Sequence, residues 1–146
     1  MLVAALVYAA SILAPSLLSP PAIDVFRLDQ KNLGLLLKTK LPPGKIMTRH
    51  GRIAYYSERE WVGLPNADLA SIYSTAKDNG VRFLIIDGSL EGRQELNELI
   101  EPLLSPDLPA SALYGQENKV LSPGFRPYLL YRDPASAGMA VYELVS

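Results

Sequence analysis

Two residue types that carry much of protein chemistry are almost missing from this chain. Its 146 residues include no cysteine and a single histidine, His50. The absence of cysteine excludes disulfides, thiol nucleophiles and cysteine-rich zinc sites. One histidine cannot form the pair of an HExxH motif, and the acidic residues do not follow the spacing of a calcium loop. We therefore expect no metal and no cofactor.

An excess of charge of either sign is also absent. Lys and Arg number 14 against 15 Asp and Glu, the formal net charge is −1, and the basic residues are spread along the chain. A nucleic-acid-binding domain normally concentrates positive charge on one face, so we set this function class aside. With 146 residues and 49% hydrophobic composition, the chain suffices for one domain with a real core.

Charged side chains are missing altogether from residues 1–23, and Met1–Ala14 is almost continuously apolar. We favour the end of a transmembrane helix for this segment. A complete span is disfavoured because the segment is short and is interrupted by Pro15, Pro20 and Pro21. Two alternatives stay open. A secretory signal peptide normally begins with basic residues, which this segment lacks. A buried helix of the domain itself would need a polar outer face, which is also lacking.

Helical patterns follow this segment. The predicted helices are Val25–Lys40 with Asp24 as N-cap, a helix with Asn66 as N-cap that ends at Gly80, and Gly92–Glu101 with Pro102 as its stop or kink. Residues 52–58 add one or two helical turns, because their apolar residues do not alternate as those of a half-buried strand do.

Strand patterns lie between and after these helices. The predicted strands are Lys45–Arg49, Trp61–Leu64, Val81–Asp87, Tyr128–Arg132 and Met139–Val145, and residues 103–127 are mostly irregular. An apolar run directly after a helix and a glycine is typical of a buried parallel strand. The sequence therefore predicts one α/β domain over residues 24–146, with a small, mostly parallel sheet flanked by helices, Rossmann-like, and a C-terminal antiparallel hairpin.

The stretch from Arg49 to Pro65 concentrates basic, aromatic and acidic side chains. Arg49, His50 and Arg52 follow the first predicted strand, and open α/β sheets bind ligands at the carboxyl ends of their strands. These three residues are candidates for binding an anion such as phosphate, although exposed basic residues are more often simply solvated. His50 as a general base has no evident partner nucleophile.

The aromatic and acidic residues of this stretch also have two interpretations each. Tyr55, Tyr56 and Trp61 can stack on a sugar ring or anchor a small core. Glu58 and Glu60 flank Arg59, which favours a salt-linked turn over a catalytic carboxylate pair. Asp87 stands where α/β enzymes place functional carboxylates, yet Asp87-Gly88 is equally a turn signal.

Several segments together resemble a known family. They are the apolar start, a helix that ends in Leu41-Pro42-Pro43, and the runs RIAYYSER (52–59), LPNADL (64–69) and NGVRFLIID (79–87). The pattern resembles the extracytoplasmic C-terminal domain of bacterial multi-pass glycosyltransferases. These are similar to the dolichyl-phosphate-mannose protein mannosyltransferases and the lipid A aminoarabinose transferases, which take a sugar from a polyprenyl-phosphate carrier. The resemblance is strongest over residues 24–87 and is weaker over residues 139–145.

The resemblance implies a non-catalytic domain on the periplasmic side of a bacterial inner membrane, with residues 1–20 as the end of a membrane helix. The family's catalytic carboxylates lie in its membrane part, so no catalytic residue is carried over. The implied partners are the membrane, the transmembrane part of the same enzyme, and a polyprenyl-phosphate sugar or a glycan or lipid acceptor. The candidate contacts are Arg49, His50, Arg52, Tyr55, Tyr56, Arg59 and Trp61. The alternatives are a stand-alone exported binding module and a small soluble α/β enzyme.

Overall fold

A computed structural model describes residues 25–104, 111–113, 120–132 and 138–145. The helices in this part of the chain are α1 (Val25–Lys40), α2 (Gly51–Ser57), α3 (Leu69–Asp78) and α4 (Asn97–Leu104). The strands are β1 (Lys45–Thr48), β2 (Trp61–Gly63), β3 (Val81–Asp87), β4 (Ser111–Leu113), β5 (Phe125–Tyr131) and β6 (Met139–Leu144). The predicted α/β class is confirmed.

The strands form one six-stranded sheet in the order β2-β1-β3-β6-β5-β4. Strand β1 pairs in parallel with β2 on one side and with β3 on the other. The chain therefore leaves β1 in one direction to form β2 and then returns past β1 to form β3. Such a reversal leaves the ends of neighbouring parallel strands open to ligands, as in other open α/β sheets.

The other half of the sheet is antiparallel, so the prediction of a mostly parallel sheet is wrong. Strand β6 runs antiparallel to β3, and β5 and β4 extend the sheet in the same antiparallel manner. The expected C-terminal hairpin is present as β5 and β6, but it joins the sheet beside β3 and brings β4 with it. Glu143 on β6 accepts hydrogen bonds from Arg82 on β3 and from Arg126 on β5, which links the two halves of the sheet.

Apolar side chains alternate between the two faces of the sheet because successive strand residues point in opposite directions. On β3, Phe83 and Ile85 pack with Leu33 and Leu37 of α1 and with Ile53 of α2. Leu84 and Ile86 point to the other face, which packs against α3 and α4. The fold is thus a sheet between two helical layers, and the helices of the two parallel crossovers, α2 and α3, lie on opposite faces.

Two predicted helices have boundaries that differ from the structure. The N-cap of α3 is Asp68 rather than Asn66, because the Asp68 carboxylate accepts a 2.7 Å hydrogen bond from the Ser71 backbone N–H. The predicted helix over 92–101 starts later, at Asn97, after two short 3₁₀ turns. It also continues through Pro102 to Leu104. Its predicted apolar face is confirmed, since Leu96, Leu99, Ile100 and Leu103 are all buried.

The remaining predicted elements match the structure closely or lie outside it. Helix α1, the turns of α2 and the strands β1, β2 and β3 are confirmed to within one or two residues, whereas β5 begins three residues before the predicted Tyr128. Gly80 ends α3 in a left-handed conformation, with φ of 66°. The predicted N-cap Asp24 and the apolar segment before it lie outside the described residues. Within the described residues, no helix has the length and apolar character needed to cross a membrane.

Arg59 joins the end of α1 to the turn that leads into β1. Its guanidinium donates to the carbonyls of Leu41 and Pro42 at 2.7 Å and to those of Leu37 and Gly44 at 3.3 Å. The last carbonyls of a helix have no partner within the helix, and a cation is favourable at that end. Arg59 therefore acts as the C-terminal cap of α1.

Gly34 lets α1 and α2 approach closely. A Cβ atom at this position would lie 2.6 Å from the Tyr56 Cβ and 2.9 Å from the Ile53 carbonyl oxygen. Both neighbours are held by α2 itself, so neither can move without displacing that helix. A side chain at residue 34 would therefore push the two helices apart.

We expect Gly34→Ala to lower the free energy of unfolding by about 1–3 kcal/mol, since the overpacking outweighs the gain of up to about 1 kcal/mol in helix propensity. Chemical denaturation of the full chain measures this. The matched control is Gly92→Ala, where a Cβ meets nothing within 4 Å. A Gly34→Ala chain as stable as the wild type would contradict the close packing.

Replacing Arg59 by Ala should cost about 2–3 kcal/mol, because several charge-assisted hydrogen bonds to backbone carbonyls are lost together. Arg59→Lys should lie between Ala and the wild type, since one ammonium cannot reach carbonyls spread over the whole turn. Arg52→Ala removes an exposed arginine of α2 and should change stability by less than about 0.5 kcal/mol. Equal losses for Arg59→Ala and Arg52→Ala would contradict the capping role.

Candidate functional site

The three parallel strands end at one edge of the sheet, here called the carboxyl edge. Strand β1 ends at Thr48 and continues into Arg49 and His50, while β3 ends at Asp87. Because β1 and β3 are neighbours in the sheet, the residues that follow them come together. This is the point at which the direction of the chain reverses, where ligands of open α/β sheets are bound.

A buried carboxylate connects the ends of these two strands. Asp87 is 3% exposed, and its Oδ2 lies 3.1 Å from Nε2 of His50. Its Oδ1 accepts hydrogen bonds from the Ser89 backbone N–H at 2.9 Å and from the Ser89 hydroxyl. Both oxygens of Asp87 are therefore hydrogen-bonded, one to His50 in the loop after β1 and the other to Ser89 in the turn after β3.

The environment of Asp87 favours its ionised form. Burial raises the pKa of Asp87, but the hydrogen bonds from His50 and Ser89 outweigh burial and leave the pKa below its ordinary value. An ionised carboxylate only accepts hydrogen bonds, so Nε2 of His50 carries the proton that it donates to Asp87.

The arrangement does not match a nucleophilic triad. In such a triad the imidazole stands between the hydroxyl and the carboxylate. Here the Ser89 hydroxyl and the His50 ring both donate to Asp87. The pair fixes the position of the His50 ring and joins the two strand ends, which is a positioning role.

Trp61 is anchored at the same edge. Its indole N–H donates to the Thr48 carbonyl at 2.9 Å, and the ring packs on Gly51, where a Cβ would come within 3.2 Å. The side chain nevertheless remains 51% exposed. A fixed, half-exposed indole beside the carboxyl end of β1 is suited to stacking on an apolar ligand surface.

The other predicted contacts lie elsewhere. Tyr55 on α2 is 77% exposed and packs edge-on against Tyr56. The Lys31 ammonium lies over the Tyr56 ring, 5.7 Å from the ring centre. Arg52 is exposed on the same helix. Arg59 lies beside the amino end of β1 in its capping position. The seven predicted contacts therefore do not form one site: Arg49, His50 and Trp61 gather at the carboxyl edge.

Glu58 and Glu60 do not form a carboxylate pair. Glu58 is bonded to Lys38 at 2.6 Å and Glu60 to Lys45 at 2.7 Å. Both are exposed ion pairs of the kind that contributes little to stability. The predicted salt-linked turn around Arg59 is not observed, since the two glutamates pair with lysines of α1 and β1 while Arg59 binds backbone carbonyls.

A cleft of about 300 Å³ opens at the carboxyl edge. We call it the three-loop cleft because one loop after each of the strands β1, β2 and β3 contributes to its wall. Its lining residues are Arg49, Leu64, Asn66, Leu90 and Arg93. Sequence patterns alone single out only Arg49, since they predict Asn66 as a helix cap and place Arg93 within a helix.

Metal ligands are not grouped in the described part of the chain. No three His, Asp or Glu side chains there come close enough together to hold a metal ion. What the carboxyl edge offers in its place is positive charge, an anchored aromatic ring and a fixed histidine. The positive charge and the aromatic ring are suited to binding a ligand.

Asp87→Asn tests the link between the two strands. A carboxylate whose pKa is lowered by folding stabilises the protein above its ordinary pKa of 3.8, and this contribution is lost as the pH falls through the lowered value. We expect Asp87→Asn to lose about 1–3 kcal/mol at pH 6 and to lose less than the wild type between pH 4 and pH 2. Chemical denaturation of both proteins from pH 6 to pH 2 measures these two differences. The assignment would be contradicted if the free energy of unfolding fell equally in the two proteins between pH 4 and pH 2.

Comparisons with protein-family models, with curated proteins and with solved structures found no match for this chain. The features that bear on its function are therefore those of the fold and of the carboxyl edge.

Proposed function

We propose that this chain forms the non-catalytic, extracytoplasmic domain of a membrane glycosyltransferase that moves a sugar from a polyprenyl-phosphate carrier to an acceptor. The domain caps the sugar-transfer site and positions the acceptor or the carrier through its carboxyl edge. The partners in this proposal are the membrane and the transmembrane part of the same enzyme, on the periplasmic side of a bacterial inner membrane. Residues 1–20 would connect the two parts.

One observation supports this proposal above the others: the carboxyl edge combines an exposed cation with an anchored aromatic ring. Arg49 is exposed, Trp61 is anchored and half exposed, and His50 is engaged with the Asp87 carboxylate. Arginine suits a phosphate and an indole face suits a sugar ring. Both chemical groups occur in a polyprenyl-phosphate sugar.

The topology gives further support. The order β2-β1-β3 with helices on opposite faces matches the start of the 2-1-3-4-5 doubly wound order, whose switch point lies between β1 and β3, so we interpret the parallel half as a small doubly wound, Rossmann-like unit. The antiparallel half shields β3 from solvent and leaves the ends of the parallel strands as the accessible edge. A stand-alone exported binding module would use the same edge, and the experiment below separates the two.

The reading frame upstream of Met1 and the activity of the full-length product test the proposal. We expect further hydrophobic spans upstream, and a loss of at least about tenfold in sugar transfer when residues 25–146 are removed from the full-length enzyme. Trp61→Ala in the full-length enzyme should also lower transfer, while Lys77→Gln on the exposed side of α3 should not, each at equal protein level in the membrane.

Wild-type transfer by the truncated enzyme would overturn the accessory role. A frame without membrane spans, together with cleavage of the chain near Pro20 on export, would identify the stand-alone module instead. Mass spectrometry of the mature protein reads out that cleavage directly.

A further inference from the structure

The three-loop cleft carries positive charge. Two of its five lining side chains are arginines, one is an amide, and none is acidic. Glu95 pairs with Arg93 at 2.8 Å and so offsets one of the two positive charges. Asp87 is bonded to His50 and Ser89. One uncompensated guanidinium, that of Arg49, thus remains at a concave surface.

Arg93 is held in place before any ligand arrives. Its Nε donates to Glu95 at 2.8 Å, and its two terminal nitrogens donate to the carbonyls of Ala67 at 2.8 Å and Pro65 at 3.4 Å. A guanidinium has five N–H donors, and these contacts engage three of them. The two carbonyls belong to the loop between β2 and α3, so Arg93 also fixes the loop that carries Asn66.

Arg49 is the exposed counterpart of Arg93. It is exposed and makes no hydrogen bond or ion pair with another residue in the described part of the chain. It lines the cleft and is exposed, so it stands at the mouth of the cleft. A long, unengaged cation next to a fixed one is the combination that can close over an anion without first breaking internal contacts.

We propose that the three-loop cleft is a binding site for a phosphate ester. The fixed Arg93 and the amide of Asn66 orient the phosphate oxygens, and Arg49 closes on the anion from the mouth of the cleft. Guanidinium forks match the geometry of phosphate oxygens and bind them with charge-assisted hydrogen bonds. Leu64 and Leu90 give the group esterified to the phosphate an apolar wall.

The size of the cleft fits this class of ligand. A volume of about 300 Å³ is at the lower end of small-molecule sites and exceeds what a bare phosphate requires. It accommodates a phosphate with part of its ester group, such as a sugar ring or the first unit of an isoprenyl chain. The site itself stands on the cleft geometry; the identification of the carrier as its physiological source rests on the proposed function.

Calorimetric titration of the full 146-residue chain in detergent micelles tests the site, with inorganic phosphate and glucose 1-phosphate as the probes. We expect saturable binding of both, tighter for the ester because of its contact with the apolar wall. Arg49→Gln should weaken binding by about tenfold, the loss typical of one charge-assisted contact. Arg52→Gln, the matched loss of a nearby exposed arginine outside the cleft, should change it by less than about twofold.

Arg93→Lys keeps the charge but loses the planar fork, and it should weaken phosphate binding while thermal unfolding shows that the chain still folds. Absence of saturable binding by the wild type up to about 10 mM phosphate would overturn the site. Equal weakening by Arg49→Gln and Arg52→Gln would also overturn it, since it would show a diffuse basic surface.

A competition experiment tests whether the phosphate ester that binds in the cleft is that of the lipid carrier. Micelles that contain undecaprenyl phosphate should compete with glucose 1-phosphate for the wild type, and micelles that contain undecaprenol should not. Competition by the phosphate lipid supports the carrier as ligand. No competition by either lipid, with glucose 1-phosphate binding still sensitive to Arg49→Gln, would leave the phosphate site in place and count against the proposed function alone.

Discussion

The structure depends on one constraint, the parallel pairing of β1 with β2 on one side and β3 on the other. Since β1 has both neighbours in the same direction, the loops after all three strands must leave the sheet at the same edge. The buried Asp87 carboxylate then joins the residue after β1 to the turn after β3. This pairing brings Asp87 and Arg93 to the stretch that begins at Arg49, from which both residues are distant in sequence.

Much of this half of the fold is predictable from local patterns. Residues 81–87 form an apolar run directly after a helix and a glycine, a combination with few alternatives to a buried strand. The wrong helix start at Asn66 arose because two cap-forming residues stand close together, and Asp68 has the Ser71 N–H within reach. The C-terminal hairpin of the antiparallel half is predictable too, but its position beside β3 is not, because the place at which a hairpin joins a sheet depends on contacts distant in sequence.

The site shows the same division. Arg49, His50 and Trp61 could be selected from the sequence because they stand in one stretch rich in polar and aromatic residues, from the end of one predicted strand to the start of the next. His50 and Asp87 are each candidates from the sequence. Their pairing is not predictable from it, because it depends on β1 and β3 being neighbours in the sheet. Arg59, whose charge made it a candidate contact, caps α1 by binding backbone carbonyls. Sequence alone does not distinguish an arginine that binds a ligand from one that satisfies the main chain.

The resulting picture is of a binding edge on a rigid α/β scaffold. Mapping of amide chemical-shift changes during titration with glucose 1-phosphate tests it most directly. We expect the largest changes in the three loops that line the cleft, at residues 49–50, 64–66 and 90–93, with the face of α2 around Tyr55 unchanged. Changes centred on that face, or on the ion pairs near the amino end of β1, would show that the carboxyl edge is not the binding surface.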